Sequence, residues 1–213
     1  MRQFFIDNHS DNLILFFTGW GCDEHEFKHI CSSCDVLILY DYQELNFNFD
    51  FSKYNEINML SFSAGVFIGS LFRHDFKINK KVAISGNPYL FDEDLGLSKE
   101  VVNLLKNVDE TNCDDFAQNY LIMTEEEAKL FNGGKRTIES CRKELDFLEK
   151  LYKSEKQKIK DDYDIALISD SDKIFNPMSQ QNYYGKRCKI VKNARHNIFF
   201  RIKNYSEIFN MID

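Results

Sequence analysis

The chain has little proline, tryptophan, glycine and histidine: 2, 1, 9 and 5 of 213 residues. Its other scarcities narrow the function before any motif is read. No apolar run approaches the roughly 20 residues a membrane-spanning helix needs. The opening Met1-Arg2-Gln3-Phe4-Phe5-Ile6-Asp7 meets a charge too soon to form the apolar core of a secretory signal. Basic residues are not in surplus. The formal net charge of −7 speaks against a general nucleic-acid surface, because phosphate binding needs clustered lysine and arginine. Internal repeats and low-complexity linkers are missing too, so the chain reads as a single domain over residues 1–213. At that length about 70% of the unfolded surface becomes buried. Six cysteines, Cys22, Cys31, Cys34, Cys113, Cys141 and Cys188, without a secretory signal fit free thiols in a reducing cytoplasm. The 20 phenylalanines and the frequent Lys, Asn and Ile read as compositional drift.

What is present is a series of short apolar runs. Leu13–Phe17 and Val36–Tyr40 are continuous, the mark of strands buried on both faces, and Ile57–Phe62, Val82–Ser85 and Tyr163–Ser169 are further strands, mostly apolar. Arg2–Asp7 reads as an edge strand and Arg187–Val191 as a late strand. Helical stretches alternate with these runs, which predicts an α/β fold around a mostly parallel sheet with right-handed crossovers. Residues 23 to 33 read as a short helix or irregular crossover. From about residue 98 to 160 the pattern is helical throughout and predicts an all-helical insertion in the position of a lid. Thr124-Glu125-Glu126-Glu127 is a capping box there, and Asn132-Gly133-Gly134 a helix stop. Ile138, Cys141, Leu145, Leu148 and Tyr152 follow at 3-4-3-4 spacing, one apolar stripe on a helix of about twenty residues. A final helix is expected from Asn197 to the C-terminus.

The segment Ile57–Gly69 carries the chemistry. An apolar strand tightens into Ser61-Phe62-Ser63-Ala64-Gly65 and resumes as a buried helix. A nucleophile elbow needs small residues two before and two after its serine, because strand and helix nearly collide there. Ser61 and Gly65 fill those places, with serine standing where glycine is usual. Acyl transfer through Ser63 also needs a base, an orienter for that base and donors for the oxyanion. His196, just after the last strand, is the candidate base. The loop Asp170-Ser171-Asp172 after the Tyr163–Ser169 strand supplies the acid, Asp172 first and Asp170 its rival. The order serine, acid, histidine is that of the α/β-hydrolase fold. For the oxyanion hole, the Ala64 N–H pairs with that of Trp20, which Gly19 and Gly21 allow to turn inward.

Leu15-Phe16-Phe17-Thr18-Gly19-Trp20-Gly21, Leu39-Tyr40-Asp41-Tyr42-Gln43-Glu44-Leu45, Ser61–Gly65, Asp172–Pro177 and Arg195–Phe199 together resemble the BioG family. Those are small α/β-hydrolases that act as pimeloyl-[acyl-carrier protein] methyl ester esterases in biotin synthesis. The resemblance spans nearly the whole chain and is weak in the helical insertion. It implies triad roles for Ser63, Asp172 and His196 and oxyanion roles for Trp20 and Ala64. It implies an acyl carrier protein bearing a methyl pimeloyl chain as partner, with no cofactor, nucleic acid or membrane. Lys135, Arg136, Arg142 and Lys143, around the start of the long helix, are the expected contacts to an acidic carrier. A thioesterase, a small-molecule carboxylesterase or a non-catalytic binding module of the same fold are the alternatives. Cys22, His25, His29, Cys31 and Cys34 crowd together, but their spacing matches no common zinc pattern, and incidental cysteines on a partly buried helix are the better reading.

Overall fold

A computed structural model describes residues 1–131 and 134–211, and in it the apolar runs assemble into one seven-stranded sheet. The strands are β1 (Arg2–Ile6), β2 (Asn12–Phe17), β3 (Asp35–Tyr40), β4 (Glu56–Phe62), β5 (Lys80–Ile84), β6 (Ile165–Ser169) and β7 (Cys188–Val191). Their spatial order is β1-β3-β2-β4-β5-β6-β7. Only β1 runs antiparallel, against β3, and the other five pairings are parallel. This is the mostly parallel α/β sheet that the strand pattern predicts, in the α/β-hydrolase arrangement that the serine-acid-histidine order and the family resemblance imply.

Side chains alternate across a strand, so a continuous apolar run feeds two cores at once. Leu13, Leu15, Phe17, Met59 and Ile168 join the core on one face, with Val66 and Phe67 from the first helix, α1 (Ala64–Leu71). Ile14, Phe16, Leu60, Phe62 and Leu167 enter the opposite core with Phe27, Phe199 and Tyr205. Parallel strands of this kind put their carboxyl ends, and hence the loops that carry chemistry, along one edge.

Between β5 and β6 lie α2 (Lys99–Lys106), α3 (Cys113–Phe116) running into a π-helical turn at Ala117–Leu121, α4 (Glu125–Leu130) and α5 (Ile138–Glu155). The Thr124 capping box is formed in full. The expected stop after α4 falls on Asn132 and Gly133, which lie outside the described residues. On α5 the stripe Cys141, Leu145, Leu148 and Tyr152 is buried, and Glu144 is buried with it. After β6 comes α6 (Pro177–Tyr184), and the helical part of residues 23 to 33 is a 3₁₀ turn, Glu24–Phe27.

One element differs from its sequence reading. Instead of a helix from Asn197 onward there is a 3₁₀ turn, Ile198–Arg201, and a short helix, α7 (Ser206–Asn210). The interval between them pairs with Cys31: the Cys31 N–H donates to Lys203 O at 2.8 Å, and the Tyr205 N–H donates to Cys31 O at 3.0 Å. Periodicity carried the apolar residues of a helix, but a distant backbone bridge took the extended conformation. Ile198, Phe199, Ile202, Tyr205 and Ile208 are buried all the same.

Candidate active site

The turn from β4 to α1 places Ser63 at φ 55° and ψ −123°, a conformation non-glycine residues rarely hold. Such strain costs of the order of 1–3 kcal/mol and persists only where the surroundings impose it. Here the Ser63 N–H is held by Ile84 O at 2.9 Å, and Ser63 O takes the Val66 N–H at 3.0 Å. Gly65 is obligatory, since a Cβ there would drive into the backbone carbonyl of Phe17. The serine at 61 is accommodated one turn further along α1. A Cβ on Gly69 would lie 2.6 Å from Ser61 Oγ and from the Tyr163 hydroxyl, so the bare glycine leaves room for both.

The Ser63 hydroxyl lies 2.9 Å from His196 Nε2, and His196 Nδ1 lies 3.0 Å from Asp172 Oδ2. All three residues are buried. An ionised carboxylate only accepts hydrogen bonds, so Nδ1 carries the proton and Nε2 is left to accept from the serine. The ring packs between Phe175, stacked at 5.9 Å, and Phe62 at 5.0 Å. Asp172 is fixed through its other oxygen, Oδ1, which accepts the N–H groups of Ile174 at 2.8 Å and Phe175 at 3.1 Å. Asp170 points elsewhere. It is exposed, and its carboxylate accepts from Ser171 Oγ and the Ala194 N–H.

Ala64 opens α1, where N–H groups have no acceptor within the helix. The Gly19-Trp20-Gly21 loop after β2 passes close by, for a Cβ on Gly19 would lie 3.2 Å from Ser63 Cβ. Gly21 adopts φ 76°. The Trp20 indole Nε1–H donates to Cys141 O of α5 at 2.7 Å. Ser63, His196, Trp20 and Ala64 open onto a cavity of about 550 Å³ whose walls are mainly apolar, among them Leu90, Leu97, Leu105, Leu145, Leu148 and Ile174. Such a site suits a flexible acyl chain with one reacting carbonyl.

The family described as pimeloyl-ACP methyl esterase BioG matches residues 1–208. This chain belongs to the BioG family. It is similar to the crystal structure of BioG from Haemophilus influenzae at 26% identity and a TM-score of 0.86, covering the whole of both chains. A lipase-esterase related protein from Clostridium acetobutylicum shares the fold at 16% identity and a TM-score of 0.66, over 99% of each chain. Over 185 residues the chain is also 29% identical to a malonyl-[acyl-carrier protein] O-methyltransferase of Bacteroides fragilis. That alignment takes in 84% of this chain but only 38% of the relative.

The cations expected to meet a carrier divide in this chain. Arg142 and Lys143 are exposed. Lys143 pairs with Glu139 at 2.6 Å, and Arg142 donates to Val108 O at 3.2 Å beside the cavity. Lys135 is exposed, its backbone N–H held by Asp23 Oδ2 at 2.6 Å. Arg136 corrects the expectation. Its side chain is 3% exposed and its guanidinium is engaged by Glu144 Oε2 and Asp41 Oδ1, each at 2.6 Å, so it cannot reach a partner protein. Buried charge demands pairing, and two carboxylates here supply it.

Glu144 and Glu26 have no place in the sequence reading, and Asp41 enters it only within the Leu39–Leu45 stretch. For Glu144 a signal existed: it lies three residues after Cys141 and four before Leu148, a charge on the apolar stripe of α5. The cysteine and histidine crowd is not gathered. Among the described residues the one group of three potential metal ligands is Asp23, Glu24 and His25, and all six cysteines are free.

Glu26 yields a stability prediction. Burial, with the Asp23 charge next in weight, pushes its carboxyl from 4.5 up to about 7. A group whose folded value is raised contributes stability below its unfolded value and loses it as pH rises through the folded one. The contribution at stake between about pH 4.5 and pH 7 is on the order of 3 kcal/mol. Glu26→Gln is therefore expected to raise Tm by several degrees at pH 8 and to change it little at pH 5. Thermal melts at the two pH values test this, and equal shifts at both would remove the carboxylate charge as the cause.

Proposed function

We propose that the protein is a serine carboxylesterase that hydrolyses the methyl ester of pimeloyl-acyl carrier protein in biotin synthesis. The observation that carries this reading is the unbroken chain Ser63 Oγ, His196 Nε2, His196 Nδ1, Asp172 Oδ2, each step at hydrogen-bond distance and opening onto an apolar cavity. Ser63 attacks the ester carbonyl while His196 takes its proton, and Asp172 stabilises the imidazolium. The oxyanion is received by the N–H groups of Ala64 and Trp20. His196 then protonates the leaving methoxide, so methanol departs and an acyl-enzyme remains. A water molecule, deprotonated by His196, attacks that ester; the carboxylic acid is released and Ser63 regains its proton. Membership of the BioG family supports the substrate class. So does the likeness to part of a protein named as a carrier-protein O-methyltransferase, since this reaction would remove a methyl group of the kind that name describes. The helical segment over residues 98–160 roofs the cavity in this reading and serves as the lid.

The deciding assay presents methyl pimeloyl-carrier protein, which holds an ester at one end and a thioester at the other. Methanol with pimeloyl-carrier protein is the expected product pair; release of the free carrier thiol would instead make the enzyme a thioesterase. Carrier docking has its own signature. Lys135, Arg142 and Lys143 are exposed around the start of α5, and Arg142 reaches Val108 at the cavity wall. The double variant R142E/K143E is expected to lower kcat/KM for the carrier-bound ester roughly tenfold, mainly at low salt, and to leave a small neutral ester unaffected. Equal rates on both substrates in that variant would remove these side chains from docking.

A further inference from the structure

Beyond the triad, a buried charged pair, Glu144 and Arg136, touches the catalytic loops from the helical segment. Glu144 is fully buried on α5 and accepts three donors. Its Oε2 takes the Gly21 N–H at 3.0 Å and Arg136 Nη1 at 2.6 Å, while Oε1 takes the Tyr42 N–H at 2.9 Å. Arg136 in turn reaches Asp41 Oδ1 at 2.6 Å, at the end of β3. Asp41 itself stands at φ 57°, so the chain turns sharply there. One turn earlier on the same face of α5, Cys141 O holds the Trp20 indole. A single helix face therefore grips two successive residues of the loop that passes Ser63, and ties that loop to the end of the next strand.

We infer that Glu144 is a positioning residue: its carboxylate, held by Arg136, fixes the Gly21 backbone and so aims the Trp20 N–H at the oxyanion. This inference rests on the esterase reading and on Trp20 as an oxyanion donor. The physical ground is that an oxyanion donor works only when held in place before charge develops, and a glycine-flanked loop has no stiffness of its own. Two glycines let Trp20 turn inward, but they equally let it turn away. Only a group that accepts hydrogen bonds and donates none can satisfy all three donors. Glutamine cannot. If its oxygen faces Gly21 and Arg136, its NH₂ meets the Tyr42 N–H, and the reverse orientation sets the NH₂ against both Gly21 and Arg136.

The test is Glu144→Gln, read by the rate at which a fluorophosphonate phosphonylates Ser63. In that reaction the serine oxygen bonds to phosphorus, fluoride leaves, the serine proton passes to His196, and the phosphoryl oxygen occupies the oxyanion site. The variant is expected to react ten- to a hundredfold more slowly per folded molecule. It should lose kcat on a small ester by a similar factor, with KM changed less than about twofold. Emission from Trp20, the single tryptophan, should shift as its loop loosens. Should Glu144→Gln fail to fold, Arg136→Lys provides the same readings. One ammonium keeps the charge but cannot reproduce the fork to Glu144 and Asp41, and a smaller slowing of phosphonylation, about fivefold, is expected. An unchanged rate per folded molecule in either variant, or a rise in KM at constant kcat, overturns the inference while wild-type labelling at Ser63 leaves the esterase reading standing. Absence of wild-type labelling at Ser63 overturns both.

Discussion

Ser63→Ala is expected to lower kcat on a methyl ester by roughly a million-fold while the protein still folds. The substitution removes one hydroxyl and its 2.9 Å bond to His196 Nε2 and alters nothing that shapes the turn. The strained backbone is imposed by Ile84 O on the Ser63 N–H and by the Val66 N–H on Ser63 O, both main-chain bonds that alanine keeps. Alanine at φ 55° bears the same strain as serine, so the change in stability should not exceed about 1.5 kcal/mol, the net value of a typical hydrogen bond. Steady-state turnover and a thermal melt separate the two effects. A fluorophosphonate should label wild type and spare the variant; equal labelling would transfer the nucleophile's role to another serine.

Asp172→Asn is expected to lose about ten-thousand-fold in kcat, and Asp170→Asn less than about tenfold. The difference follows from the bonds at each carboxylate. Asp172 Oδ1 accepts two main-chain N–H groups, from Ile174 and Phe175, so in the asparagine variant the amide oxygen must stay there. Its NH₂ then faces His196 Nδ1 and donates to it, which moves the imidazole proton to Nε2. A protonated Nε2 cannot accept the proton of Ser63. The fold would be intact and the base would be the wrong tautomer. Asp170 is exposed, and its bonds to Ser171 Oγ and the Ala194 N–H brace a loop rather than an imidazole. Initial rates on one small ester rank the two variants, and the reverse ranking would make Asp170 the acid.

The register that favoured Asp172 was legible because it is local. Ile174 and Phe175 are apolar residues following an acid. Once they tuck under the sheet, 6% and 1% exposed, their N–H groups have the Asp172 carboxylate as acceptor. The strands were legible for a related reason. A sheet covered on both faces admits little polar alternation, so Leu13–Phe17 of β2 and Val36–Tyr40 of β3 read as unbroken apolar runs. The elbow was legible because a near-collision of backbones demands small residues at set positions, and Gly65 lies against Phe17 as that argument requires.

Charges are placed by contacts that local sequence does not contain. Arg136 looked like a surface cation because it precedes an amphipathic helix among other cations, and local pattern gives no reason to separate it from Lys135 or Arg142. Its burial depends on Asp41, 95 residues away, and on Glu144, whose own partners Gly21 and Tyr42 lie 123 and 102 residues distant. The C-terminal segment shows the same limit, with helical periodicity overridden by the backbone of Cys31.

By itself, the sequence determined which apolar runs are buried, in what order the strands occur, and where a serine, an acid and a histidine fall at strand ends. Those properties follow from periodicity and from sterics within a few residues, and each segment carries them alone. Tertiary structure alone decided how close Ser63, His196 and Asp172 come, which cations stay at the surface, and what grips the Gly19–Gly21 loop. A salt bridge or a three-donor carboxylate is a meeting of distant segments. Its energy depends on burial and separation, and neither exists until the sheet has closed.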